Sequence, residues 1–380
     1  IPAVLAMPDC NRKFNHDALA GMLLHNVRHL VDPHTVYSGI KRLQAGHAML
    51  VREGKVVDVW KYWKPQANMK DITSARLREK LEEAVQLRML ADVPVGALLS
   101  GGVDSSAIVA MMAQRSTEPI RTYALGFDKE DEDLCRARVM ARHLGCVHRE
   151  FYFDANKMWN GFEKLLSAYG EPIMLLPLTY SYQLCEAIYD EGLKVVLGGH
   201  GADELFFGYT GHIRTARISA ILSALDPIRR IGTSFVNRVE ISPSLSMLLA
   251  NPGERKSEFY RYCAKRDWAQ VLSPDVRISR RNIVAEALSY WGGNCPTTDF
   301  IDESNFCALM VENTHSLTTS SDLPPMLASV EMRAPFLDQD IIDFALSTPV
   351  SKKVPWVAPI HRLKWILREA VRDLIPHELL

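Results

Sequence analysis

Short uninterrupted apolar runs, each followed by an amphipathic stretch, recur through the middle of the chain. Val95–Leu99, bounded by Pro94, has the length and composition of a strand buried on both faces. Arg121–Phe127 and a short segment around His148–Phe153 read as further strands, and Lys194–Leu197 as another apolar run. Between them, Ser105–Gln114, Leu134–Leu144 and Thr179–Glu191 carry helical periodicity. Upstream, Leu77, Leu81, Ala84, Val85 and Arg88 share one helical face, with Ser74 as candidate N-cap. Strands alternating with helices predict an α/β fold, a doubly wound parallel sheet whose ligand lies beyond the strand C-termini. Residues 1–66 instead alternate short strands and turns, with a hairpin of Met49–Val51 and Val56–Val59 about Glu53-Gly54. Lys64-Pro65-Gln66-Ala67-Asn68 reads as a linker, and beyond Gly211 the pattern is mainly helical to Leu380.

Composition narrows the class. The 380 residues are 47% hydrophobic and 23% charged, as in a globular chain of one large or two ordinary domains. A formal net charge of −1 argues against a nucleic-acid or anionic-membrane partner. No apolar run reaches the roughly 18 residues of a membrane span. Seven cysteines (10, 135, 146, 185, 263, 295 and 307) lack CxxC pairing, so reduced thiols in the cytoplasm are expected, without a zinc site.

The chemistry concentrates in Ser100-Gly101-Gly102-Val103-Asp104-Ser105-Ser106, between the first apolar run and its helix. Two glycines let the backbone turn sharply and bring N–H groups close to a ligand. The helix N-terminus adds unpaired donors, which suits an anion. The GxxxxGK[ST] spacing of the common triphosphate loop is absent. Asp104 and three serines stand where that loop has a lysine, which suits a magnesium-bound pyrophosphate leaving as a unit. The pattern matches the pyrophosphate loop of enzymes that split ATP between its α- and β-phosphates. A second glycine-rich turn, Gly198-Gly199-His200-Gly201-Ala202-Asp203-Glu204, follows the run at Leu197. Asp203 reads either as an acid complementing a helix N-terminus or as a carboxylate sharing Mg²⁺ with Asp104.

Three segments occur in order: Leu98–Ser106, Leu197–Phe206 and Ser329–Asp338. Together they resemble the synthetase domain of glutamine-hydrolysing asparagine synthetases, a family that also holds β-lactam synthetases and lasso-peptide cyclases. The resemblance implies an adenine-nucleotide α-hydrolase-like sheet with a helical C-terminal part over residues 67–380. Residues 1–66 resemble the end of the family's N-terminal class II (Ntn-type) glutamine amidotransferase domain. The chemistry implied is attack of a substrate carboxylate, aspartate in the type case, on the α-phosphate of Mg-ATP, then displacement of AMP by ammonia from glutamine. By motif position, Asp104 and Asp203 hold Mg²⁺, and Ser100, Gly101, Gly102, Ser105 and Ser106 hold pyrophosphate. Leu99, Leu125, Gly198 and Gly199 line the ATP site. Partners are small molecules, and a homodimer is allowed.

Departures from the family pattern matter for the acceptor. Between the glycines of the second loop, where the family has a carboxylate or a tyrosine, stands His200, read equally as a base and as a locally bonded loop histidine. Gly170-Glu171-Pro172 replaces an Asp-Glu-Pro triplet before the bulky Ile173–Leu178. Asp322-Leu323-Pro324-Pro325-Met326 lacks the usual arginine and is stiffened by its prolines. Glu331 and Arg333 read as an internal ion pair. The chain opens Ile1-Pro2, and Cys10 lies outside the family's nucleophile context, so glutamine hydrolysis by the family mechanism is not expected of it. Leu374-Ile375-Pro376 precedes the family's Arg-x-Lys lysine, which is expected beyond Leu380; Lys364 reads as part of a preceding helix without that role. Three functions stay open: an asparagine synthetase, an amidoligase for another carboxylate (a sugar acid, a peptide or a β-amino acid), and a nucleotide-binding module without catalysis.

Overall fold

The computed structural model describes residues 1–25, 27–209, 283–296, 300–355 and 363–380. Cys263 and the stretch 210–282 expected to be helical lie outside them. The chain forms two compact units. One comprises Ile1–Pro65, Glu171–Met174 and Gly211–Ser316; the other comprises Gln66–Gly170, Leu175–Thr210 and Leu317–Leu380. The first break, Pro65/Gln66, falls within Lys64-Pro65-Gln66-Ala67-Asn68, and each unit is assembled from separated segments.

The first unit carries α1 (Pro2–Leu5), α2 (His16–His25) and the antiparallel pair β1 (His47–Arg52) and β2 (Lys55–Lys61). The strand-and-turn pattern expected before residue 66 holds at this hairpin, where Glu53 and Gly54 take the positive φ of a tight turn. It fails at His16–His25, a helix because Ala18 and Met22 face a core shared with Val27, Leu30, Val36 and Leu288. Beside that core, Arg42 pairs with the buried Glu171, which also accepts from the Val36 N–H at 2.9 Å. The Gly170-Glu171-Pro172 triplet thus supplies a structural carboxylate within this unit.

The second unit is built on a five-stranded parallel sheet of order β5-β4-β3-β6-β7. Its strands are β3 (Val95–Leu98), β4 (Arg121–Gly126), β5 (Val147–Tyr152), β6 (Val195–Leu197) and β7 (Glu331–Arg333). The intervening helices are α3 (Ser74–Arg88), α4 (Val103–Arg115), α5 (Glu132–Leu144), α6 (Ala155–Tyr169) and α7 (Pro177–Asp190), and α8 (Ala202–Phe206) follows β6. After β5 the chain crosses back to place β6 beside β3, so the order reverses there, the position at which open parallel sheets bind ligands. Sequence periodicity missed α6 and β7. β7 is three residues long, and its Arg333 bonds Glu331 at 2.7 Å and the carbonyls of Arg88 and Leu90. The ion pair expected of these residues is present. Thr73, not Ser74, caps α3, because its extended backbone lets the hydroxyl accept from Arg76 N. A helix also runs through Pro324 and Pro325 (Thr314–Leu327). Among the described residues no cysteine is in a disulfide, and no helix is long and apolar enough to cross a membrane.

Burial, helped by the charges of His315, Arg28 and Arg42, pushes His29 down to about 3. The folded protein therefore keeps His29 neutral while the unfolded chain takes up a proton below its ordinary 6.5, so stability falls as the pH drops toward 3. At pH 5 this group costs about 2 kcal/mol. Denaturant titrations of wild type and His29→Leu at pH 7 and 5 should show a smaller loss in the variant; equal losses would contradict the assignment.

Candidate functional site

The first loop leaves β3 through Leu99, whose N–H donates to the Tyr123 carbonyl at 2.9 Å and whose side chain is buried. Gly101 takes φ +72°, and a Cβ there would lie 2.3 Å from Arg136 Cβ, so only glycine fits between the turn and α5. Gly102 caps α4, which begins at Val103, two residues earlier than the apolar pattern suggests. The N–H groups of its first turn therefore face the loop without intrahelical partners. Ser105 Oγ is turned inward: it accepts from Ser100 N at 3.1 Å, meets Ser100 Oγ at 3.1 Å and donates to the Gly102 carbonyl. Ser105 thus shapes the loop. Ser106 Oγ is buried with no hydrogen-bond partner among the described residues.

The second loop leaves β6 at Gly198, whose N–H donates to the Arg333 carbonyl at 2.9 Å. A Cβ on Gly199 would lie 3.0 Å from both Asp104 Cβ and Ser105 N, so the two glycine-rich loops are packed backbone to backbone. Gly201, at φ +95°, leaves no room for a side chain against Leu337. His200 folds back over Gly198: a Cβ there would lie 3.0 Å from His200 Nδ1, which is buried without a partner among the described residues. Burial lowers the His200 pKa, so the ring is neutral at pH 7.

Asp104, in the first turn of α4, and Asp203, in the first turn of α8, converge on one cation. The Lys364 ammonium lies 2.5 Å from Asp104 Oδ2 and 2.6 Å from Asp203 Oδ1. Its side chain is 9% exposed. Lys364, at φ +59°, is the N-cap of Trp365–Ala370, the helix that precedes Leu374-Ile375-Pro376. Burial pushes the Asp104 carboxyl up to about 6 against the pull of the ammonium, with Asp203 adding to the rise. For Lys364, burial acts downward, and the two carboxylates outweigh it and hold the ammonium above its usual range. Asp104 Oδ1 remains buried and without a hydrogen-bond partner among the described residues. Two carboxylates meeting at one point, one of them with a spare covered oxygen, are a donor set that could hold Mg²⁺.

The geometry thus brings together Ser100, Gly101, Gly102, Asp104, Ser105, Gly199 and Asp203. Ser106 lies beneath the loop, and His200 faces Gly198. Leu125 is set apart: it lines a cavity of about 570 Å³ with Phe151, Tyr152, Gln183 and Ser329, which none of the loop residues line. The sequence gives Lys364 no role, and its pairing with Asp104 is not visible there because the two lie 260 residues apart. The usable signal is charge: two aspartates meeting at one point, one of them buried, favour a counter-cation.

Known proteins resemble this chain along most of its length. The profile of the family described as asparagine synthase matches residues 76–380. A provisionally named glutamine-hydrolysing asparagine synthetase of Mycobacterium tuberculosis is 27% identical over 371 residues, 93% of this chain and 55% of that protein. "Amidase chyE" of Penicillium rubens is 26% identical over 92% of this chain and 58% of its own. Asparagine synthetase [glutamine-hydrolyzing] 1 of Bacillus subtilis is 23% identical over 92% of this chain and 55% of its own. The chain spans about half the length of these curated relatives.

The loop contact makes a direct prediction. Gly199→Val forces the two loops apart and should weaken pyrophosphate binding at least about tenfold by calorimetry, with the circular dichroism spectrum preserved. Unchanged affinity would show that the loops do not act together.

Proposed function

The chain belongs to the asparagine synthase family, and from that premise we propose that it is an ATP-dependent amidoligase forming an amide through an acyl-adenylate. The observation that carries the reading is the convergence of Asp104 and Asp203 on one cation at the point where the sheet order reverses. A substrate carboxylate oxygen attacks the α-phosphorus of ATP, the bond to the bridging oxygen breaks, and pyrophosphate leaves. Ammonia then attacks the acyl carbon and AMP departs with the bonding pair. Backbone N–H groups at Gly101, Gly102 and the first turn of α4 bind the phosphates, and the Ser100–Ser105 bonds keep them in place. Mg²⁺ held by Asp104 and Asp203 would neutralise the charge developing on the pyrophosphate. His200, neutral and half-buried, would accept the proton lost by the incoming nitrogen. The cytoplasm supplies ATP and fits the reduced cysteines.

Aspartate as acceptor and glutamine as ammonia source are the family's type chemistry. Residues 1–66 support the second: strand β2 is exposed along its whole length, with Val56, Val57, Val59 and Trp60 bare on both faces. An isolated hairpin with two apolar faces is unstable in water, as expected of the last strands of a larger glutaminase sheet. His200, in place of the family's carboxylate, favours a second reading with the same adenylation and a different acceptor.

Exchange of labelled pyrophosphate into ATP, run on the intact protein across a carboxylate panel, tests both. Exchange should require Mg²⁺ and one carboxylate, yield AMP, and fall on the order of 100-fold in Asp104→Asn and Asp203→Asn. ADP as product, or ATP binding without exchange for any carboxylate, would overturn the ligase reading. The carboxylate that supports exchange decides the acceptor.

A further inference from the structure

The cation in the aspartate pair belongs to the protein itself, and it occupies the position the amidoligase reading gives to a metal. The Lys364 ammonium bonds one oxygen of each carboxylate, and that same approach is what a shared Mg²⁺ requires. Two cations cannot hold the same two oxygens together. The largely buried Asp104 carboxylate, with the partly exposed Asp203 beside it, is disfavoured as a charge without a cation. The lysine stem is long and flexible, with the charge at its tip, so the ammonium can move while the backbone stays. Gly208 accommodates the pair because it lacks a side chain: a Cβ at that position would lie 1.7 Å from Asp203 Oδ1 and 2.2 Å from Lys364 Cε. The unpartnered Asp104 Oδ1 shows that the ammonium does not use the full donor set.

We propose that Lys364 is the resident counter-cation of Asp104 and Asp203, and that it gives up its place when Mg²⁺ arrives with pyrophosphate or ATP, its ammonium passing to the polyphosphate. The inference rests on the Mg²⁺–pyrophosphate reading of the loops. Its consequence is coupling: divalent metal alone competes against a tethered ammonium and binds weakly, whereas phosphate oxygens give the displaced ammonium a new partner. Metal and polyphosphate then each raise the other's affinity. Lys364 is a positioning residue, and its effect is on binding order.

The test uses Mn²⁺ as probe on the intact protein, with free metal read by electron paramagnetic resonance. Without nucleotide, Lys364→Gln should bind Mn²⁺ about tenfold tighter than wild type, Lys364→Arg should match wild type, and Mg²⁺–pyrophosphate affinity should fall about tenfold in Lys364→Gln. Unchanged or weaker Mn²⁺ binding by a folded Lys364→Gln overturns the exchange. If that variant does not fold, the wild type still decides. Its Lys364 ¹³Cε resonance, assigned by its loss in Lys364→Arg, should move with Mg²⁺–pyrophosphate and not with Mg²⁺ alone. A resonance unmoved by both overturns the proposal. Asp104→Asn separates the two readings. If it leaves pyrophosphate and Mn²⁺ binding intact, the metal-site reading itself fails. If it abolishes both while Lys364→Gln does not tighten Mn²⁺ binding, only the exchange fails.

Discussion

Two carboxylates brought to one point, Asp104 buried and Asp203 partly exposed, share one positive charge, and the topology of the second unit is what brings them there. Asp104 and Asp203 are 99 positions apart in the chain, yet β3 and β6 are hydrogen-bonded neighbours, with Ala97 opposite Leu197. Each strand ends one loop before its aspartate. Adjacent parallel strands lie about 4.8 Å apart, so side chains leaving their ends through tight turns reach a common point. Reversal of strand order at this pair keeps helices from covering it. The site is the place where the sheet changes direction, and the charge located there sets what can bind.

Glycine makes the meeting possible. Gly101 lets the first turn press against α5, Gly199 lets the second loop touch Asp104 and Ser105, and Gly201 turns the chain under Leu337. At each, a side chain would have to displace backbone or a packed residue. The serines differ in what they hold. Ser105 ties the loop to itself through Ser100 and Gly102, while Ser106 keeps a buried hydroxyl without a partner among the described residues. By spacing alone, the serines suggest a row of equal phosphate ligands. The geometry gives at least one of them to the scaffold.

The sheet and both loops were legible in the sequence because their signals are local. A buried parallel strand is a short apolar run, a tight strand-to-helix turn needs glycine, and each falls within one short segment. What escaped detection was either too short or too distant. β7 has three residues, below the length at which periodicity speaks, and α2 was hidden by the turn signals around it. Lys364 lacks any motif beyond its charge; its role appears only when the end of the chain is folded against residues 260 positions away. His200 was legible as a departure, and its neutrality is a product of burial that spacing does not reveal. Nor does the sequence show that the Glu171 carboxylate pairs with Arg42 and accepts from the Val36 amide.

Whether the aspartate pair receives a divalent metal together with pyrophosphate, with Lys364 yielding to it, can be seen in one crystal. Crystals of the intact protein grown with Mn²⁺ and pyrophosphate, measured at the manganese edge, would show where each cation sits. The expected result is an anomalous peak bonded to both Asp104 and Asp203, pyrophosphate on the Ser100–Ser106 loop, and the Lys364 ammonium turned to a phosphate oxygen. Manganese bound elsewhere, or an ammonium still bridging the two carboxylates beneath bound pyrophosphate, would contradict it.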